Sequence, residues 1–211
     1  NNLNVDILEN YAKEKNLPID GIVIIYDSLS YSKACGRTGH HYKDGLAFKF
    51  EDEQYETILR EIQWTTTRFG ELAPVAIFDT IEMDGCDVSR ASLHNLTFIK
   101  ELELAIGCRI AVSKRNMIIP HVEENLDRGR YVDTVPPVCP CCGSQTRIHK
   151  RKGNDNRIIE TVHCDNPACS SQILKKFVHF VGKKAMDIEG LSEATLEKFL
   201  TLGYLSSFTD I

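Results

Sequence analysis

Cys139, Cys142, Cys164 and Cys169 are the residues whose spacing most plainly predicts chemistry: C-x2-C, a long gap, then C-x4-C. Two close thiol pairs, each spanning a tight turn and brought together by the intervening chain, are the donor set of a tetrahedral zinc centre. Pro140 and Gly143 give the first pair the form of a knuckle, in which glycine permits the bend that turns backbone amides toward sulfur. Cys141 lies inside that pair and is left out, because adjacent cysteines rarely chelate one ion. Four thiolates leave no open coordination position, so the expected ion, one zinc per chain, is structural rather than catalytic.

The neighbourhood of these cysteines is cationic. From Arg147 to Lys184 there are nine basic residues, Lys175, Lys183 and Lys184 among them, against three acidic ones, a local net of +6 by subtraction in a chain of formal net charge −5. The overall acidity argues against indiscriminate nucleic-acid binding. A cationic stretch beside a zinc knuckle fits contact with a polyanion.

The length of 211 residues allows one or two domains, one of them small enough to need a metal, and the composition is that of an ordinary globular protein. No apolar run is long enough to span a bilayer and no signal peptide opens the chain, so the cytoplasm is the expected compartment and the eight cysteines are expected to be reduced. The chain starts without methionine and stops inside a helical pattern, which reads as two cut ends.

Several elements must position these residues. Val5 to Lys15 carries apolar residues at helical spacing, with Asn4 as N-cap and Pro18 as the stop. Ile19 to Tyr26 reads as a buried strand, Asp27 to Asp44 as a surface loop, and Leu46 to Phe50 as a second strand in which Lys49 points away from Phe48 and Phe50. Residues 55–125 have the rhythm of a small barrel. Strands are expected at Ile58–Thr67, Pro74–Met83 and Asp87–Leu93, with a hairpin at Asp84-Gly85; a short helix at Leu96–Leu102 precedes strands at Arg109–Lys114 and Met117–Glu123. Five strands with a helix between the third and fourth is the order of an OB-fold, a barrel that commonly presents a face to nucleic acid. Asn125 to Pro137 reads as a linker. After Cys169 the pattern turns helical, with Ile173, Phe177 and Phe180 on one face and Leu196, Phe199 and Leu200 on another. Between them Ile188-Glu189-Gly190-Leu191-Ser192 has the character of a helix-hairpin-helix turn, whose amides can face a phosphate, although Ser192 stands where a second glycine is more usual and an ordinary inter-helix turn is the alternative.

With Leu17-Pro18-Ile19-Asp20-Gly21-Ile22-Val23-Ile24, then Ala47-Phe48-Lys49-Phe50, Ala73-Pro74-Val75-Ala76, Val88-Ser89-Arg90-Ala91-Ser92-Leu93-His94-Asn95 and Ile119-Pro120, followed by the four cysteines and Met186-Asp187-Ile188-Glu189-Gly190-Leu191, the chain resembles bacterial NAD-dependent DNA ligases. The resemblance implies a multidomain α+β chain: residues 1–54 ending an adenylation (nucleotidyltransferase) domain, 55–125 an OB-fold, 126–172 a linker and four-cysteine zinc finger, and 173–211 the start of a helix-hairpin-helix domain. It also implies a reaction, the sealing of nicks in duplex DNA during replication and repair. A lysine in a K-x-D-G motif takes AMP from NAD, passes it to the 5′-phosphate of the nick, and the 3′-hydroxyl displaces it with magnesium assistance.

No K-x-D-G occurs here: Lys43-Asp44-Gly45 lacks the intervening residue and sits in the wrong place. The upstream adenylation and nicotinamide-binding parts are therefore expected elsewhere in the parent, and this chain alone is expected not to react with NAD. The resemblance carries Lys49 over as a lysine that approaches the nucleotide phosphate, and Asp20 as a carboxylate for metal or orientation. Arg68, Arg90, His94, Lys114 and Arg115 become the candidate contacts to the DNA backbone, which position a protein without reading sequence. The chain departs from the family pattern at Ile25, where a second lysine is usual, in lacking Pro-Arg-Trp before Leu46, at Thr67 for glycine and at Met117 for an acidic residue. The alternative reading is a degenerate, non-catalytic ligase-derived module that binds DNA.

Overall fold

The computed structural model describes residues 5–17, 19–50, 53–116, 118–129, 133–153 and 155–211. Asn4, Pro18 and Met117, to which the sequence assigns a cap, a helix stop and a family departure, lie outside them. The chain divides into two compact units, one of residues 1–54 with 114–119 and one of residues 55–113 with 120–211.

In the first unit, helix α1 (Val5–Glu14) forms where the helical spacing predicts it. Strands β1 (Gly21–Ile25) and β2 (Gly45–Lys49) pair antiparallel, Gly21 opposite Lys49 and Ile25 opposite Gly45. Gly21 is required there: a Cβ would stand 2.4 Å from the Phe48 carbonyl oxygen. Two expectations are corrected. β1 is not buried, since Val23 and Ile25 on one face are 68% and 65% exposed and Leu46 on the other is 71% exposed, as a two-stranded ribbon with no third strand among the described residues must be. The expected loop after it contains helix α2 (Leu29–Ala34), whose N-cap Ser28 accepts a hydrogen bond from the Tyr31 amide at 3.4 Å.

The second unit is built on a closed five-stranded barrel: β3 (Gln54–Thr66), β4 (Glu71–Met83), β5 (Cys86–Ser92), β6 (Arg109–Arg115) and β7 (Ile119–Asn125), with helix α3 (Leu96–Glu101) between β5 and β6. The order β3-β6-β7-β5-β4 closes through β3 and β4, and β5 meets β7 in parallel at Ser92 and His121. That is the OB-fold the strand order predicts. Register shifts at Leu59/Glu61 and at Ile77/Ile81 let two 13-residue strands curl, and inward residues change parity across them: Leu59 then Ile62 and Trp64, Ala76 and Phe78 then Met83. Asp84 and Gly85, at φ 49° and 75°, form the tight hairpin between β4 and β5. Asn95 caps α3, its Oδ1 accepting from the Phe98 amide at 3.0 Å.

Two further strands, absent from the sequence reading, extend this sheet. β8 (Thr146–Lys152) and β9 (Ile158–Cys164) form a hairpin, and β9 pairs with the start of β4, Leu72 opposite Val162. Cys139, Cys164, Cys169 and Val162 accordingly share one core with Leu59, Leu72 and Leu93 of the barrel. Helices α4 (Ser170–Val181) and α5 (Glu193–Thr201) pack through Phe177, Val181, Leu196 and Leu205. Ser192 caps α5, receiving the Thr195 amide at 3.2 Å. No helix among the described residues is long and apolar enough to cross a membrane.

Candidate metal centre and nucleic-acid interface

The first cysteine pair sits on a turn closed by two backbone bonds, Cys139 N–H to Ser144 O at 2.7 Å and Gly143 N–H to Cys139 O at 2.9 Å, with Gly143 at φ 71°. Cys164 ends β9 and Cys169 stands at the N-cap of α4. The four sulfurs lie within 4.8 Å of one another, and those of Cys142 and Cys164 are 3.5 Å apart. Sulfurs on one zinc at 2.3 Å are separated by about 3.8 Å. The set therefore fits such an ion with only small side-chain adjustment. Cys141 is exposed, outside the cluster, with its sulfur 3.2 Å from the Ser170 hydroxyl, and all eight cysteines are free thiols.

Without an ion the four thiols are unequal. Hydrogen bonding from Ser144, then from Asn166, brings Cys142 down to about 6, whereas burial pushes Cys169 up to about 12 and also raises Cys164. Burial opposes ionisation of Cys139 too, but its contacts with the Thr66 hydroxyl and the amides of Cys142 and Cys141 win, and its thiol lies below the usual value. Sulfurs held close and mostly buried, with opposed proton affinities, suit a divalent ion that fixes all four as thiolates.

The barrel reaches into this cluster at one turn. The hairpin Thr67–Gly70 between β3 and β4 puts Gly70 at φ 83°, where its carbonyl accepts the Cys164 amide at 2.8 Å. A Cβ on Gly70 would lie 2.5 Å from the Cys164 carbonyl oxygen and 3.0 Å from Gln172 Nε2. Buried Gln172 donates to that same Cys164 carbonyl at 2.8 Å, and the Ser171 hydroxyl donates to the Thr66 carbonyl at 3.3 Å. The Gly70→Ala variant is thus expected to lose about 2 kcal/mol of stability or more, combining left-handed strain with a backbone clash. Denaturant unfolding measures it; an unchanged midpoint would remove this turn from the support of the four-cysteine cluster.

The same turn supplies the basic site. A cleft of about 590 Å³ is lined by Thr65 to Arg68 from the β3–β4 hairpin and by Lys175, Val178, His179, Gly182, Lys183 and Lys184 from α4 and the turn after it. Arg68 lies against the Phe69 ring at 4.6 Å, and Lys175 is tied to Glu193 at 2.6 Å, while Lys183 and Lys184 are exposed. The sequence reading named Arg68 and the charged run separately. The fold brings them together, and His179 joins them without having been singled out, since one histidine on a helix carries no signal alone.

The other expected contacts fall elsewhere. Arg90 on β5 is exposed and donates to Gln63 Oε1 at 2.5 Å, which aligns its guanidinium along the outer barrel surface. His94, exposed and at φ 57°, packs edge-on to Phe98 with centroids 5.1 Å apart, and 5.4 Å from the ring of buried His121. Lys114 and Arg115 belong to the first unit, at the end of β6. There too Lys49 and Asp20 are brought together: Lys49 Nζ is 3.5 Å from Asp20 Oδ2 and donates to Asn116 Oδ1. The rings of Phe48 and Phe50 meet on the opposite side of the strand at 6.2 Å. Asn116, in the turn before β7, was not foreseen.

Comparison with known proteins agrees with the barrel fold. Residues 56–134 match the family model of the NAD-dependent DNA ligase OB-fold domain. Along most of its length the chain is similar to curated DNA ligases: 41% identical over 207 residues to that of Lachnoclostridium phytofermentans (98% of this chain, 31% of the relative), 41% over 196 residues to that of Ruminiclostridium cellulolyticum (93% and 29%), and 32% over 211 residues to that of Lactobacillus johnsonii (97% and 30%). The chain spans a little under a third of the length of these relatives.

Proposed function

We propose, for a chain whose barrel belongs with those of the NAD-dependent DNA ligases and which aligns with DNA ligases along nearly all its length, that it is the part of such a ligase that holds nicked duplex DNA while the strand is sealed. The observation that carries this reading is the basic cleft joining Arg68 of the barrel to Lys183 and Lys184 after α4. Cations from two elements around one groove neutralise successive phosphates without reading bases, as joining at any sequence requires. Arg90 and His94 on the barrel, and Lys114 and Arg115 at the end of β6, are further backbone contacts. Cys139, Cys142, Cys164 and Cys169 hold one structural zinc, which fixes the segment leading into α4 and hence the lysines of the cleft.

Residues 1–54 are the end of an adenylation domain and residues 173–211 the start of a helix-hairpin-helix domain. Exposed apolar side chains on both faces of the β1–β2 ribbon fit burial against the rest of that adenylation domain in the parent protein. There Lys49, oriented by Asp20 and Asn116, sets a positive charge beside the transferring nucleotide phosphate. NAD supplies the AMP group and Mg²⁺ the charge neutralisation in the intact enzyme, whose K-x-D-G nucleophile lies outside this chain; the cytoplasm is where such a ligase works.

Lys49→Ala in the intact ligase should slow adenylyl transfer on the order of a hundredfold, as loss of one fixed charge at a developing anion does, without altering the melt. Single-turnover ligation measures this. The second reading, a degenerate module that only binds DNA, is favoured by Ile25, an apolar side chain where a lysine is usual. An intact parent protein that binds nicks but forms no AMP adduct would select it.

A further inference from the structure

We propose that His149, His163 and Asp165 form a second divalent-metal site on the outer face of the β8–β9 hairpin, separate from the four cysteines and suited to a borderline ion such as Zn²⁺. Strand register creates it. Arg147 stands opposite His163 and His149 opposite Thr161, so His149 and His163 are diagonal neighbours on one face of the hairpin. Asp165 follows His163 by two residues and reaches the same side. The intervening Cys164 is 2% exposed and turns inward to the other sulfurs, so one strand end presents a thiol to the interior and an imidazole and a carboxylate to solvent.

The geometry is close to that of an assembled site. The imidazoles stack with centroids 4.2 Å apart and planes 9° from parallel, His149 Nε2 lies 3.3 Å from Asp165 Oδ1, and the three donor atoms lie within 4.8 Å of one another. Two ligands about 2.1 Å from one ion are roughly 3 to 3.5 Å apart, and an imidazole binds metal in its own ring plane, so the exposed His149 ring must turn out of the parallel stack to complete the set. His163 Nε2 is 3.0 Å from the buried Thr161 hydroxyl, a contact that orients the ring. Two imidazoles and one carboxylate select zinc, nickel or copper over magnesium and calcium, and three protein ligands leave a position for water. The site is open to solvent, with His149 and Asp165 49% and 40% exposed.

A neighbouring cation competes. Arg147 Nε lies 3.7 Å from Asp165 Oδ2, but its side chain is 76% exposed and held by this single solvent-screened pair, which a divalent ion displaces. An ion on this face would clip β8 to β9 at the end where β9 delivers Cys164, stiffening the segment that carries a ligand of the inner centre.

The test is calorimetric titration of the full chain, already equilibrated with one equivalent of zinc, with further zinc chloride, followed in parallel by the histidine ring NMR signals. A second equivalent should bind and shift the His149 and His163 rings. His149→Ala or Asp165→Asn should weaken it about tenfold or more, since loss of a ligand costs at least what loss of an outer-shell partner does; Arg147→Ala should strengthen it. None of these exposed substitutions should change the free-thiol count or the melt before the second addition. His149 and His163 ring signals that do not move at any zinc addition, or equal affinity in both ligand variants, would overturn the proposal. The ring signals report on this site whether or not the cysteines hold their own ion, so the two sites succeed or fail separately.

Discussion

Replacing Cys169 by serine, or stripping the metal with a strong chelator, should split the thermal melt of this chain and lower its first transition by well over ten degrees. Cys169 has no exposed surface, stands at the N-cap position of α4 and shares a core with Cys139, Cys164 and Val162. Apparent binding energies of structural zinc sites run to about 10–16 kcal/mol at neutral pH, more than the whole stability of many domains, so loss of even half should free the knuckle, the end of β9 and the start of α4. Leu59, Leu93, Ile110 and Val112 lie in the same buried cluster as the cysteines but on barrel strands whose pairing needs no sulfur, so that part should melt later. The effect has a definite pH sign. The Cys169 and Cys164 thiols are raised, so zinc must displace protons from both at neutral pH, and affinity falls as pH falls because protons and metal compete for the same sulfurs. A chelator-treated chain with an unchanged melt and four fully reactive thiols would show that the cysteines are only core residues.

The second large effect should come from the basic cleft. A triple variant, Arg68→Ala with Lys183→Ala and Lys184→Ala, is expected to bind nicked duplex on the order of a hundredfold more weakly at low salt, with the slope of log affinity against log salt reduced by about one per cation removed. All three side chains lie at the rim of the barrel or beyond the end of α4, and Lys183 and Lys184 are exposed, so folding should persist. Lys175→Ala should do less, because its ammonium is already held by Glu193. If the triple variant kept both affinity and slope, the phosphates would have to run over another face, with Arg90 and His94 next in line.

The barrel was legible because OB strands announce themselves by turns. Asp84-Gly85 demanded a tight hairpin, and strand-like runs filled the intervals on either side, whereas the cap that Asn95 gives α3 was not read. The cysteine spacing was legible for a similar reason, since metal donors must be brought together by short turns. What escaped was structure whose cause lies across the chain. β8 is polar or charged at all but Ile148, and β9 mixes Ile158, Ile159 and Val162 with polar residues out of alternation, so no period marked them; they are strands because β9 adds to the edge of β4. α2 is six residues long and owes its start to Ser28, too little for periodicity to register. β1 has the residues of a buried strand but exposes them, because periodicity reports what a side chain prefers and not what covers it. The cleft was half legible: Arg68 came from a motif and the lysines from a charge count, and only the Gly70 turn against Cys164 places them around one groove.

The most direct measurement is the affinity of the zinc-loaded chain for a nicked duplex across a salt series. The account predicts binding at low ionic strength that weakens linearly in log affinity against log salt, with a slope of several phosphates. A chain that retained its zinc and its fold yet showed no affinity for nicked duplex at low salt would contradict it.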